Sequence, residues 1–301
     1  MINQLILNGL IAGTIYALIA LGFTIIYRTV KFFNFAHGVV YTSGAYFAYT
    51  IFNLLIKQLP SSSTIFLYFI SFFLSIILTA ILGVIIDRLV FFPLRKNNAS
   101  NMVYLLASFG VFIFIQNLIQ LIYGSQILII GTYQIMEGYN ILGAVITKNQ
   151  IIIIVSSLIL FIITWAFIKY SKLGKAIRAV SDDTIGARVV GINSEKIIMI
   201  AFAIGSALAG AAGILISLET NIEPTMGMNA ILKGVIASVV GGIASIPGAL
   251  LGGLFIGLAE NVGIWKIDAG WKDVISFVIL IIFLIIKPSG IMGSKNDNTK
   301  I

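Results

Sequence analysis

Seven times along this chain a stretch of nineteen or more residues passes without a single Lys, Arg, Asp or Glu. A bilayer hydrocarbon core about 30 Å thick takes about 20 helical residues to cross, so each stretch is long enough for a transmembrane helix or close to it. The stretches run from Met1 to Tyr27, Phe32 to Ile56, Gln58 to Ile86, Asn97 to Met136, Gln150 to Ile168, Ile197 to Leu218 and Gly234 to Ala259. The fourth includes an outer loop. Only Val274 to Ile286 is uncharged in an eighth, so Trp271 and Lys272 are expected at the membrane interface, where amphipathic side chains reach water. Composition points the same way. Hydrophobic residues make up 59% of the chain and charged residues only 10%, against about 25% charged in soluble domains. The first stretch lacks a basic segment before its apolar run and is read as a retained helix rather than a cleaved signal.

The longest polar segment between spans, Tyr170 to Lys196, carries Lys172, Lys175, Arg178, Arg188 and Lys196. Basic loops stay on the cytoplasmic side. Alternation then puts the Arg28/Lys31 and Arg88/Arg95/Lys96 loops inside and the N-terminus outside. Residues 232–262 would make one helix of about 46 Å, too long for a single crossing. Gly241, Gly242 and Pro247 interrupt them, so they are expected as two arms hinged there and returning outside. The C-terminus is then cytoplasmic, with 14 Lys and Arg inside and 5 outside, which add up to the 19 in the sequence. The reading is an all-α polytopic membrane protein of about eight to nine transmembrane helices with a hinged segment near 232–262. One transmembrane domain covers 1–301, with a cytoplasmic loop at 171–196 and a short cytoplasmic tail at 288–301. Small residues four apart, such as Gly9 and Gly13, Gly205, Ala209 and Gly213, or Gly248 and Gly252 with Gly253 and Gly257, allow close helix contact within the bundle.

Several chemistries are excluded. Without cysteine there is no disulfide, thiol nucleophile or thiolate metal site, and one histidine, His37, makes no multi-histidine site. No metal or other cofactor is expected. Gly174-Lys175 is followed by Ala176, and Lys169 stands where a phosphate-binding loop needs its first glycine, so the chain binds no ATP itself. Gly205, Gly210 and Gly213 lie inside an apolar span and are no dinucleotide fingerprint. No Gly-x-Ser-x-Gly elbow exists, which argues against an intramembrane hydrolase. The net charge of +8 reflects basic cytoplasmic loops rather than nucleic-acid binding. No ionisable residue falls at the centre of a span. Asp87 and Arg88 end theirs, where they are expected to pair, and Glu219, Glu223 and Glu260 fall near outer ends. An ion-driven secondary transporter normally needs a buried charged site.

In 171–193, Ser181, Asp182 or Asp183 can cap a short helix that Gly191 and Asn193 end, with Glu195 or Lys196 opening the next span. Gly186 and Ala187 on one side of that helix suit close docking on a partner, as against an ordinary solvated loop. Asn34, His37 and Gly38 open the second span; polar residues there mark either a pathway-lining broken helix or a cap with His37 at headgroup level. Gln116 and Asn117 lie mid-span and are expected to bond neighbouring helices.

The run Gly174-Lys-Ala-Ile-Arg-Ala-Val-Ser-Asp-Asp183, with Ala187 and Gly191-Ile-Asn193, resembles the coupling loop of branched-chain amino-acid ABC transporter permeases of the LivH type. Asn8-Gly9 to Gly13, Tyr16 to Gly22, Asn34-Phe-Ala-His-Gly38 and Gly44-Ala-Tyr46 are similar to that family's first two spans. Gln116-Asn117, Phe202 to Gly213, Gly241-Gly-Ile-Ala-Ser-Ile-Pro-Gly248 and Lys287-Pro-Ser-Gly290 continue in order, so the resemblance covers nearly the whole chain. It implies a non-enzymatic permease of the bacterial inner membrane that imports branched-chain or related hydrophobic amino acids. The implied partners are a second permease, two ATP-binding subunits and an extracellular or periplasmic binding protein. Related permeases serve urea or short amides, and an ion-coupled transporter is the reading from another class. Gly174, Arg178, Asp182, Asp183, Ala187 and Gly191 are the expected contacts to the ATPase; Asn34, His37, Gly38 and Asn117 are the candidates for the translocation pathway.

Overall fold

A backbone in hydrocarbon must satisfy its own hydrogen bonds, and the helix does so within one segment. The computed structural model describes residues 2–59, 63–130, 138–141, 143–243 and 245–293. In chain order these form α1 (Ile2–Val30), α2 (Ala36–Gln58), α3 (Thr64–Ile86), a π-helical turn (Asp87–Phe91), α4 (Phe92–Lys96) and α5 (Asn101–Tyr123). A small hairpin follows, β1 (Gly138–Ile141) and β2 (Ala144–Thr147), and then α6 (Lys148–Tyr170), α7 (Lys172–Asp182), α8 (Thr184–Val189) and α9 (Ser194–Ile216). The chain continues through α10 (Met226–Gly241), α11 (Ile246–Gly263), a 3-10 turn (Ala269–Trp271) and α12 (Lys272–Ile286). Eight of the helical segments are long and apolar enough to cross a membrane, and α10 is a shorter apolar helix. Much of the outer loop expected near 124–136, the tail after Gly293 and residue 244 of the hinge lie outside the described residues.

The described residues fall into two compact units, one within Met1–Thr24, Tyr133–Phe167 and Leu232–Ile301, the other within Ile25–Thr132 and Ile168–Ile231. In the first, α11 lies along α1 through the predicted small residues: a Cβ on Gly9 would stand 2.9 Å from the Leu258 Cα, and one on Gly13 2.9 Å from the Leu254 Cα. The 232–262 segment is a helical hairpin, as its length demands. Gly241 packs on Gly248, and Gly252 on the Ala237 carbonyl, the descending order of contacts that antiparallel arms produce. Its turn is closed by the segment after α12. The Ile291 and Met292 N–H groups donate to the Val240 and Gly241 carbonyls at 2.8 and 3.0 Å, satisfying acceptors that a helix end leaves open. The two strands pair antiparallel from Gly138 opposite Thr147 to Ile141 opposite Ala144. Gln4 at the start of α1 clips this hairpin, accepting from the Val145 N–H at 2.8 Å and donating to its carbonyl at 3.0 Å.

In the second unit α9 packs against α2 and α3 through small residues, Gly83 of α3 against the Ser206 side chain and Gly210 of α9 against that of Thr79. A Cβ on Gly44 would lie 2.6 Å from the Gly210 Cα, so only glycine lets α2 and α9 meet there. Buried Val39, Tyr46, Phe52, Leu67, Phe112 and Ile214 fill the space around that crossing. On the outside of α3 and α5, Ile65, Phe69, Leu106, Phe114 and Leu121 are among many exposed large apolar residues. Such faces suit hydrocarbon rather than water.

Two expectations about charge are corrected. Asp87 pairs not with Arg88 but with Arg95, at 2.7 Å; the Arg88 guanidinium instead lies over the Phe92 ring at 5.2 Å. Burial of a charged pair also occurs where none was expected. Lys233 of α10 and Glu260 of α11 are 7% and 1% exposed and pair directly, with Tyr16 Oη donating to Glu260 at 3.0 Å and Asp273 2.8 Å from Lys233. These two residues bound the uncharged stretch 234–259. Once the stretch folds back on itself, its ends lie against α12 rather than at a water interface.

Candidate functional site

The polar segment between α6 and α9 holds two helices where the sequence reading expected one. Ser171 caps α7, its hydroxyl accepting from the Gly174 N–H at 2.8 Å. Gly174, Ile177, Val180 and Ser181 line the buried face of α7, at the 3–4 residue spacing of one helix side, while Lys172 and Lys175 face solvent. Arg178 donates to the Ile168 and Lys169 carbonyls, closing the end of α6 where a cation also meets the negative end of the helix dipole. That spacing of Ile177, Val180 and Ser181 after a serine cap was the signal available for α7.

Of the three capping candidates, Asp183 does the work for α8: its Oδ1 accepts from the Ile185 N–H at 2.9 Å. Asp182 is exposed, 3.8 Å from Arg28. The other end of α8 is a Schellman closure: Gly191, at φ +84°, donates to the Arg188 carbonyl and Ile192 to the Ala187 carbonyl, both at 3.0 Å. Asn193 does not end α8. It begins α9, accepting from the Lys196 N–H at 3.1 Å.

Capped at both ends, α8 turns Ala187 into the protein at 4% exposure and holds Ile185, Val189 and Val190 out at 74%, 82% and 74%. Of the residues singled out from the sequence for contact with an ATPase, Asp182, Asp183 and Gly191 face solvent, Arg178 is half-buried, and Gly174 and Ala187 are buried within this chain. The apolar tip of α8 is the feature the sequence reading missed. Exposed Ile and Val beside a basic loop was the signal for it.

Asn34 lies one residue before Phe35, the N-cap of α2, and its Oδ1 accepts from the Ala36 N–H at 3.1 Å, an Asx turn leading into the helix rather than a cap on it. Gly38 packs against the Gly227 backbone of α10. His37, 1% exposed, lines a crevice with Asn34, Ala36, Val40, Gly83, Ile86, Phe202 and Ser206. Its walls leave no room for a water-sized sphere, so in this conformation it is a packed seam rather than an open channel. Asn117 is not among the lining residues. It faces outward from α5 and donates to the Ile113 carbonyl of its own helix at 2.8 Å, not to a neighbouring helix.

No solved structure matches the chain. Residues 5–284 match the family model described as branched-chain amino acid transport system / permease component. The chain is 39% identical over 297 residues to the high-affinity branched-chain amino acid transport system permease protein BraD of Pseudomonas aeruginosa, covering 96% of this chain and 95% of the relative. It is 36% identical over 296 residues to the permease protein LivH of Salmonella typhimurium, and 35% identical over 296 residues to LivH of Escherichia coli, each with 96% of this chain and 95% of the relative covered. A polytopic helical chain that aligns with these permeases from end to end belongs to the family of branched-chain amino acid transport system permease components.

Proposed function

We propose that this chain is the permease subunit of an ATP-driven importer of branched-chain or related hydrophobic amino acids, moved by separate ATPase subunits gripping α8. The observation that carries the reading is α8 itself. Three large apolar side chains, Ile185, Val189 and Val190, stand in water on a helix fixed at one end by Asp183 and at the other by the Gly191 closure. A chain with no nucleotide-binding loop needs such a handle. A second permease of the same kind would complete the membrane part, and an extracellular or periplasmic binding protein would deliver the amino acid.

Contacts between helix ends support the proposed orientation. Gln4 meets Val145, and Leu128 pairs with Ile222, all at ends that alternation puts outside. Arg28 meets Asp182, Arg95 meets Glu195, and Gly242 meets Gly290, all at ends that it puts inside. The basic loops mark this second side as cytoplasmic.

Reversing the charge of both Asp182 and Asp183 would break the α8 cap as well as the surface, so Val189→Asp is the cleaner test. It leaves the cap and the closure intact and puts a charge at the centre of the apolar tip. In inner-membrane vesicles holding the complete importer, ATP-dependent leucine uptake is expected to fall at least tenfold, the loss typical of a central interface contact worth over about 1.4 kcal/mol. Full uptake by that variant removes the role given to α8.

A further inference from the structure

A chain of charges leads from α8 into the membrane part of the second unit. Arg188 of α8 lies 3.7 Å from Glu195 in the first turn of α9. The other oxygen of Glu195 accepts from Arg95 Nε at 3.1 Å and Nη2 at 3.0 Å, and Arg95 Nη1 donates to Asp87 at 2.7 Å. Side-chain exposure falls along the chain from 59% at Arg188 through 29% at Glu195 and 12% at Arg95 to 0% at Asp87. The outermost pair, exposed and long, contributes little to stability. The inner links are different. Asp87 Oδ2 is buried without a hydrogen-bond partner, and among the described residues Arg95 is the cation that bonds that carboxylate directly. Removing one member of such a buried pair leaves an uncompensated charge.

The inner end of this chain is a weak point in the backbone. Asp87 begins the π-helical turn Asp87–Phe91, in which the Phe92 N–H reaches the Asp87 carbonyl, and Pro93 just beyond has no N–H to give. Turns of this kind interrupt the regular helix ladder and recur at functional points. Ile86, one residue before, lines the crevice with Asn34 and His37. Phe91 within the turn packs at 5.4 Å on Phe202 and at 5.0 Å on Phe32, which opens the approach to α2. Glu195 is therefore shared between a cation on the exposed helix and a cation that anchors the π turn.

We propose that Glu195 and Arg95 are positioning residues: displacement of α8 shifts Glu195 between Arg188 and Arg95, and so releases or holds the π turn at the end of α3. The proposal rests on the importer reading above. It assigns the residues that carry the ATPase stroke from α8 to the seam around His37. A purely structural clip would tie α4 to α9 without caring where α8 stands.

The test is the complete importer in proteoliposomes, with ATP hydrolysis and leucine uptake measured in the same sample. Glu195→Gln keeps the shape and removes the charge. The ATP hydrolysed per leucine imported is expected to rise about tenfold, within the range of coupling between linked sites, while complex recovery stays at the wild-type level. Arg95→Gln combined with Asp87→Asn, which leaves no charge at residue 87 and leaves Glu195 with Arg188 alone, is expected to show the same rise. A ratio equal to wild type in both, with uptake and hydrolysis falling together, overturns the proposal in favour of a structural clip. Should Glu195→Gln fail to assemble, Arg188→Gln carries the decision, because its exposed side chain supports no packing: a raised ratio is expected and an unchanged one overturns the assignment. Failure of the importer reading looks different. There the wild-type complex itself would show no ATP-dependent uptake.

Discussion

Gly191 shows how one residue can set the geometry of a docking surface. At φ +84° it occupies the left-handed region that side chains with a Cβ enter at a cost of about 1–2 kcal/mol. Its N–H and that of Ile192 take up the last carbonyls of α8, and Asp183 supplies the matching cap at the other end. In Gly191→Ala, α8 is expected to fray, and trypsin should cut the loop at Arg188 several-fold faster than in the wild type; Gly191→Asn, which tolerates that region, should be cut at nearly the wild-type rate. Equal cutting of all three proteins would show that the closure does not hold α8. Asp182 and Asp183 look alike in the sequence but do different jobs. Which one caps depends on where α7 stops, and the hydrophobic spacing that defines α7 is only three residues deep.

At the scale of elements, the hairpin α10–α11 carries the least expected chemistry. Lys233 bridges Glu260 and Asp273, and Ser276 also bonds within the cluster, so one ammonium group draws α10, α11 and α12 together. Lys233→Met leaves the Glu260 carboxylate buried without its cation and is expected to cost about 3–5 kcal/mol, seen as a large drop in the temperature of thermal inactivation in detergent. Adding Glu260→Gln should restore most of that loss. A double variant as unstable as the single one would mean that the cluster stabilises through shape rather than charge. The helices themselves were legible in the sequence because a bilayer demands long uncharged runs, and the hairpin was legible because 232–262 is too long to cross once. The partners of charged residues were not. Asp87 is adjacent to Arg88 in sequence yet bonds Arg95, because it continues the buried face of α3 that Ser71, Ser75, Thr79 and Gly83 form at every fourth residue, while Arg88 points out over Phe92. A scan for uncharged windows sees where charges stop and start, not which helix covers them. The same limit applied to the site: the capping alternatives and Gly191 came from local rules, whereas the inward turn of Ala187 and the outward display of Ile185 and Val189 depend on where α7 and α9 pack.

At the scale of the whole molecule, the second unit carries the basic segment with α7 and α8 and the first carries the β1–β2 hairpin. With no native cysteine, single introduced cysteines report sidedness without background. Tyr139→Cys on the hairpin is expected to react with a membrane-impermeant maleimide in intact cells, and Val189→Cys only after the membrane is opened; the reverse pattern would invert the proposed orientation. An importer driven from its cytoplasmic face makes a stricter demand. The decisive measurement is leucine accumulation in proteoliposomes that contain this chain alone, or this chain with its partner permease, ATPase subunits and binding protein. The account predicts concentrative uptake only in the complete assembly and only with ATP. Accumulation against a gradient by the chain alone would contradict it.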